Sequence, residues 1–164
     1  MLLIAKRLKD LSFGKLMKVY EEGNRENGQD FWPDESPDRQ IALAEQDFYD
    51  YLDQIFFKIP GAFYAIWENE GQYASALRIE PYQDGFLLEA LETAPKQRRR
   101  DCAKNLIRAV LAYMKKGKIY SHVSKRNLPS LRTHEVCGFR KILDHAVYAD
   151  GSVLSTSVTL IREI

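Results

Sequence analysis

Cysteine is scarce in this chain, and neither sign of charge dominates it. Cys102 and Cys137 are too few for a disulfide framework and show no CxxC or Cys/His metal spacing. Lysine and arginine number 24 against 23 aspartate and glutamate, so the net charge of +1 cannot by itself support polyanion binding. We therefore predict a cytoplasmic protein with reduced thiols and no metal, in which any basic function is local.

Long apolar runs are also missing. Lys6 and Arg7 interrupt the opening apolar run too early for a signal-peptide core, and no window approaches the roughly 20 apolar residues of a membrane span. The chain holds no internal repeat and no low-complexity tract. With 164 residues, 45% of them hydrophobic, it is predicted to form one globular domain over residues 1–164, away from any membrane.

The first third of the chain contains strand and helix signals separated by a polar segment. Residues 2–8 predict a short strand, and Asp10 is suited to cap a following helix. Residues 21–39 are rich in Gly, Asn, Asp and Pro without sustained periodicity, and they predict a long loop. The dipeptide Ser36-Pro37 then predicts the start of a second helix, which ends near Pro60.

The remainder predicts a mixed sheet. Three apolar stretches between residues 61 and 94 predict an antiparallel meander, and Arg98–Met114 carries the apolar stripe of a core-facing helix. A strand at 118–124, a short helix capped by Asn127 and two strands joined at Asp150-Gly151 follow. The predicted fold is a mixed α/β (α+β) sheet of about seven strands, mostly antiparallel, with strands four and five parallel and four flanking helices.

Three consecutive arginines stand where the fourth strand passes into the central helix. A helix N-terminus offers free backbone amides and a positive dipole, which together bind phosphate. Arg98, Arg99 and Arg100 oppose that dipole at a cost of a few tenths of a kcal/mol each, unless an anion binds there. The segment is therefore either a polyphosphate site or a solvated basic turn.

With a second segment downstream, this loop resembles the acetyl-CoA site of the GNAT-type (GNAT superfamily) N-acetyltransferases. That site reads approximately V-x-P-x-x-R-x-x-G-x-G/A and, after a helix and a strand, N-x-x-A/S-x-x-x-Y-x-x-x-G-F. The matching residues are Thr93, Pro95, Arg98 and Ala103 in the first half, and Asn127, Ser130, Gly138 and Phe139 in the second. The order of predicted elements agrees over essentially the whole chain.

The resemblance implies that acetyl-CoA is the co-substrate. The residues implied to hold it are Thr93, Arg98, Arg99, Arg100, Asp101, Cys102, Ala103, Asn127 and Ser130. Asp101 departs from the pattern, because the family usually has a glycine there and a carboxylate beside a diphosphate is unfavourable. Either its arginine neighbours neutralise it, or it turns outward, or the affinity for the cofactor is weakened.

The resemblance also implies direct attack of a primary amine on the thioester in a ternary complex. His134 stands where many members have a tyrosine that protonates the leaving thiolate; the alternative is that it only packs. Glu89 and Glu92 on the fourth strand are candidates for the base, or solvent-facing residues. Strand alternation places them on opposite faces, so at most one should face the acceptor.

The acceptor side is predicted to be acidic. Seven acidic residues and two arginines between Tyr20 and Arg39 give a local charge of −5, which would attract a cationic amine or merely form a solvated loop. The terminal strands are also candidates for pairing across a homodimer.

Two other functions stay open. The same fold could bind an acyl-CoA or another ligand as a sensor without catalysis. Residues 96–100, 115–118 and 125–126 could bind nucleic acid, but without interleaved aromatic residues this is the weakest of the three hypotheses.

Overall fold

A seven-stranded mixed sheet runs through the computed structural model, which describes residues 1–164. Seven of the nine strands of the chain form this sheet. In chain order the nine are β1 (Leu2–Ala5), β2 (Phe63–Asn69), β3 (Gln72–Tyr82), β4 (Gly85–Thr93), β5 (Lys118–Ser124), β6 (Arg140–Leu143), β7 (Ala146–Val147), β8 (Val153–Leu154) and β9 (Ser157–Glu163). The order across the sheet is β1-β2-β3-β4-β5-β9-β6, and β7 and β8 form a separate hairpin. Only β4 and β5 are parallel, which confirms the predicted fold.

Five helices accompany the sheet: α1 (Phe13–Val19), α2 (Glu21–Phe31), α3 (Pro37–Gln54), α4 (Cys102–Met114) and α5 (Leu128–Val136). Leu106 and Ile107 of α4 pack with Leu77 on one face of the sheet, which we call the α4 face. Leu16 of α1 and Leu52 of α3 pack with other sheet residues on the opposite face, which we call the α3 face. None of the helices combines the length and the apolarity needed to cross a membrane.

The polar segment that predicted a long loop is largely helical, so that prediction is wrong. Residues 21–31 form α2, and only a short connection separates it from α3, whose N-cap Ser36 accepts a hydrogen bond from the amide of Arg39 as predicted. The buried positions of α2 are Asn24 and Gly28, one helical turn apart. A close helix contact made by small and polar residues leaves no apolar stripe, and the fold therefore has five helices where four were predicted.

Two glycines of α2 provide a test of this helix. A Cβ at Gly23 would meet nothing, whereas a Cβ at Gly28 would lie 2.7 Å from the carbonyl oxygen of Gln40 in α3. We expect Gly23→Ala to stabilise the protein by up to about 1 kcal/mol through helix propensity, and Gly28→Ala to destabilise it by about 1–3 kcal/mol through overpacking. Urea denaturation of both variants measures the difference, and equal effects would contradict the α2–α3 contact.

Several predicted boundaries shift. The cap of α1 is Ser12 rather than Asp10, which instead pairs with Arg7. The central helix begins at Cys102 rather than Arg98, so all three arginines precede it. The last two strands are each interrupted, and β6 pairs with β9 while β7 pairs with β8 around the expected turn.

The first and last strands of the chain, β1 and β9, differ in their access to a partner in a dimer. Because β9 lies between β5 and β6, only β1 has a free edge for such pairing.

Candidate acyl-CoA site

A cavity of about 520 Å³ opens where β4 and β5 part. The two strands pair only from Phe86 to Leu88 on β4 and from Ile119 to Ser121 on β5, so the β5-facing edge of β4 beyond Leu88 has no strand partner. The cavity is lined by the end of β4, the loop into α4, and α5 with its cap: Leu91, Glu92, Thr93, Gln97, Arg98, Arg99, Asp101, Cys102, Ala103, Lys104, Asn127, Pro129, Ser130, Arg132, Thr133 and Val136.

The loop into α4 leaves backbone amides free at the cavity. The first hydrogen bond within the helix runs from the amide of Asn105 to the carbonyl oxygen of Asp101, so the amides of residues 102–104 precede the helical ladder. Arg99 and Asp101 both have positive φ, at 61° and 57°. That backbone favours glycine, and aspartate is among the few other residues that adopt it readily, so Asp101 retains the loop shape.

The Asp101 carboxylate pairs with a lysine rather than with an arginine. Its Oδ1 lies 2.9 Å from Lys104 Nζ, and its side chain is 68% exposed. The carboxylate is therefore exposed and neutralised, by Lys104 rather than by the arginine neighbours that the sequence suggests, while Asp101 also lines the cavity. Lys104 lines the cavity, so this pair reduces the positive charge available to an anion bound there.

Asp101 carries the second testable expectation. We expect Asp101→Asn to tighten coenzyme A binding by about 2- to 5-fold, because a surface ion pair worth about 0.3–1 kcal/mol no longer engages Lys104. Asp101→Gly should tighten it similarly, because it removes the same carboxylate and relaxes the positive φ. Isothermal titration calorimetry gives Kd, with Glu163→Gln as the control, because Glu163 is an exposed carboxylate paired with Arg140 and neither residue lines the cavity. Weaker binding in both Asp101 variants would mean that the carboxylate supports the loop.

The three arginines have different surroundings. Arg98 binds Glu22 of α2 with both terminal nitrogens, at 2.6 and 3.1 Å, and one of these lies 3.6 Å from Glu92. Arg99 lines the cavity, whereas Arg100 contacts Gln97 and lies outside the lining. Arg98 therefore joins the loop into α4 to the acidic helix α2.

A β-bulge corrects the predicted arrangement of Glu89 and Glu92. Ala76 pairs with Glu92 and Arg78 pairs with Glu89, so partners two residues apart on β3 face residues three apart on β4. The extra residue is Ala90, at φ +52°. Glu89 and Glu92 consequently lie on the same face of the sheet, the α3 face, and the prediction that alternation separates them is wrong.

Two buried tyrosines hold this bulge. The hydroxyl of Tyr20, between α1 and α2, donates to the carbonyl oxygen of Ala90 at 2.7 Å, and the hydroxyl of Tyr64 donates to that of Tyr20 at 2.9 Å. Tyr64 is fully buried and Tyr20 nearly so. No motif marks either tyrosine, and only their packing reveals the role.

The two glutamates differ in their surroundings. Glu92 lines the cavity, and burial raises the pKa of its carboxyl, with Glu22 and Glu26 adding to the rise and Arg98 opposing it. Glu89 lies outside the cavity lining, with Oε1 3.4 Å from Arg78 Nε. Of the two glutamates, only Glu92 lines the cavity, and its raised pKa makes its carboxylate a stronger base than an ordinary glutamate.

His134 lies behind the cavity wall rather than in its lining. It is 1% exposed, with Nδ1 2.8 Å from the carbonyl oxygen of Ser130 and Nε2 2.9 Å from Ser121 Oγ. A carbonyl only accepts, so Nδ1 carries the proton and Nε2 of the neutral ring accepts from the serine hydroxyl. Burial lowers the pKa of His134. Ser121, which the sequence does not single out, sits on the last paired position before β4 and β5 part.

Both cysteines are buried and free of disulfide bonds. Burial raises the pKa of the Cys102 thiol, which favours a packed neutral group over a nucleophile. No group of three or more His, Cys, Asp or Glu side chains is arranged to hold a metal ion.

The fold is that of known N-acetyltransferases. The PaiA N-acetyltransferase of Thermoplasma acidophilum, solved in complex with coenzyme A, matches with a TM-score of 0.67 at 11% identity, covering 100% of this chain and 99% of that one. The ribosomal-protein-S18-alanine N-acetyltransferase of Escherichia coli matches at 0.60 and 13%, covering 100% and 94%. A GNAT family acetyltransferase of Elizabethkingia anophelis with acetyl-CoA bound matches at 0.56 and 12%, covering 73% and 83%.

Residues 21–139 match the Acetyltransferase (GNAT) family. The chain therefore belongs to this family, as its two motif segments predicted. No curated protein matches the sequence.

Proposed function

We propose that residues 1–164 form one domain that transfers an acetyl group from acetyl-CoA to a primary amine. The observation that carries this proposal is the cavity at the parting of β4 and β5, which joins an unpaired strand edge to the free amides of the α4 N-terminus. An edge of this kind can hydrogen-bond an extended amide-containing chain, and helix amides can bind a diphosphate. The matches to coenzyme A and acetyl-CoA complexes in the same fold support this ligand.

The residues around the cavity fit such a ligand. The amides of Cys102, Ala103 and Lys104, with the side chain of Arg99, would hold the diphosphate. Arg98 would join them by giving up part of its contact with Glu22. Thr93, Asn127 and Ser130 line the remainder of the cavity, toward the strand edge and α5. Acetyl-CoA supplies the acetyl group as a thioester, in which the carbonyl carbon is open to attack by an amine.

Protons must leave the amine and reach the departing sulfur. Glu92 is the better placed base, since it lines the cavity and its pKa is raised, while Glu89 lies further along the same face. His134 is the proposed acid, acting through the hydroxyl of Ser121 at the point where the strands separate.

The acceptor is proposed to be cationic before it loses its proton. Glu22 and Glu26 lie one turn apart on α2, and their charges act on Glu92. Arg98 and Arg25 oppose these three carboxylates, which leaves a net negative local charge that attracts a protonated amine.

Thermal unfolding with coenzyme A, followed by thiol release over a panel of amines, tests the function. Ligand at 100 times its Kd stabilises the protein by about 2.7 kcal/mol, which raises Tm by roughly 5–11 °C for a domain of this size. Absence of a shift at millimolar ligand would remove acyl-CoA binding altogether. A shift without thiol release from any amine would favour the non-catalytic binding protein.

A further inference from the structure

Arg78 is a largely buried cation whose side chain donates no hydrogen bond. Its side chain is 17% exposed, and its guanidinium carbon lies 4.9 Å from the ring centre of Tyr51 and 5.6 Å from that of Phe56. Its only ion pair joins Nε to Glu89 Oε1 at 3.4 Å, without hydrogen-bond geometry. Both atoms are sealed from solvent and have no hydrogen-bond partner. The two terminal nitrogens also lack a partner but are not sealed, so they are the reachable donors.

Unused donors on a fixed guanidinium indicate a binding group. No acceptor of the chain fills the two terminal nitrogens that solvent reaches, and arginine presents a planar fork suited to oxygen acceptors. Arg7 and Arg98 use that fork on a carboxylate of this chain, each with two nitrogens. Arg78 is held by two aromatic rings with its fork unfilled.

The position of Arg78 connects it to the transfer site. It lies on the α3 face directly opposite Glu89, two residues along β3 from Ala76, which is opposite Glu92. Glu80 shares this face, and burial together with the charge of Glu89 raises its pKa. A cation with free donors and a carboxylate thus lie side by side, next to the carboxylate proposed to be the base.

We propose that Arg78 and Glu89 form an acceptor subsite for an α-aminoacyl group. Glu89 receives the ammonium, and the terminal nitrogens of Arg78 donate to the carbonyl oxygen three bonds away from that nitrogen. Arg78, Glu80 and Glu89 carry a net charge of −1 when both carboxyls are ionised, which disfavours a free carboxylate on the ligand. The favoured acceptor is therefore an amino-acid amide or a peptide N-terminus. This subsite rests on the proposed function.

Three small acceptors isolate the subsite: L-alaninamide, L-alanine, and 3-methyl-2-butylamine, in which an isopropyl group replaces the carboxamide. Rates are compared per concentration of neutral amine. We expect the wild type to prefer the amide over both others. Arg78→Met should lower kcat/KM for the amide by about 10- to 100-fold and for 3-methyl-2-butylamine by less than about 3-fold, as expected for a lost bond to a charged group.

The controls separate this subsite from folding and from the transfer reaction. Arg78→Lys keeps the charge without the fork and should lose nearly as much on the amide, whereas exposed Arg140→Met should change nothing. Intact acetyl-CoA binding shows that a variant is folded. Equal losses of kcat/KM on the amide and on the alkylamine would overturn the subsite. Equal wild-type kcat/KM for these two acceptors would also overturn it, and that comparison does not depend on whether Arg78→Met folds. Acetylation of the alkylamine upholds the transfer function in either case, and acetylation of no amine defeats both proposals.

Discussion

Replacing His134 with phenylalanine is expected to lower kcat for acetyl transfer by about 10²- to 10⁴-fold, the usual contribution of a positioned acid. The ring is enclosed between Ser130 and Ser121, and Ser121 occupies the last pair before the strands part. Coenzyme A affinity should change little, because the ring does not line the cavity. Single-turnover kinetics with saturating acetyl-CoA measures the effect on chemistry.

The pH dependence of kcat separates an acid from a packing residue. Because Nδ1 donates its proton to the carbonyl oxygen of Ser130, Nε2 carries a proton that it can donate only in the imidazolium form of the ring. Burial lowers the pKa of His134 below its ordinary value, so the acid form is present at low pH and is lost as pH rises through that lowered pKa. The wild type should show this falling limb.

His134→Gln is the control that keeps a hydrogen-bonding side chain but cannot titrate, so it should lack the falling limb. Ser121→Ala leaves the His134 ring in place but removes the hydroxyl that contacts Nε2. It should lower kcat to an extent similar to that of His134→Phe. A wild-type profile identical in shape to that of His134→Phe would leave His134 with a packing role only.

Gly85→Ala is expected to destabilise the protein by about 3 kcal/mol or more and to abolish coenzyme A binding. A Cβ at Gly85 would lie 2.2 Å from the carbonyl oxygen of Lys118 and 2.9 Å from its Cβ, at the start of both parallel strands. Backbone cannot move aside as a side chain can, so the clash displaces the pairs at residues 86–88 that determine where the strands part. Urea denaturation and calorimetry measure the two effects.

Gly71→Ala is the matched control, since its φ is +72° and nothing lies within 4 Å of the added carbon. It should cost about 1 kcal/mol from the backbone conformation alone and leave coenzyme A binding unchanged. If Gly85→Ala behaved like Gly71→Ala, β4 and β5 would not approach as closely as described.

Periodicity and caps were enough to predict most of the fold. The apolar stripe of α4 includes Leu106, Ile107 and Val110, all buried, and the turns between β2, β3 and β4 fall where Gly and Asp indicated. The sequence failed at α2, where the buried residues are Asn24 and Gly28. Burial of polar and small residues produces no hydrophobic period, so helical structure there depends on contact with α3.

The candidate site was predictable only in part. The motif segments selected most of the residues that line the cavity, because residues of one loop are adjacent in sequence, but Arg100 and Phe139 lie outside the lining. Arg78, Tyr20 and Ser121 come from other strands and helices, and their roles depend on partners 11 residues away for Arg78–Glu89, 70 for Tyr20–Ala90 and 13 for Ser121–His134. Ala90 is an ordinary strand residue in the sequence, so its positive φ gives no compositional signal.

The bulge at Ala90 lets β4 carry one residue more than the facing part of β3 without reversing the side chains that follow. Side chains along a strand repeat every two residues, so an extra residue in regular alternation would shift the phase of everything after it. The bulge absorbs that shift and keeps Glu92 on the α3 face, whereas straightening β4 with all its residues in place would turn Glu92 toward the α4 core. The chemistry at the cavity therefore depends on a backbone shape that Tyr20 holds from a distance, and losing that shape would move Glu92 to the other face without replacing any charged residue.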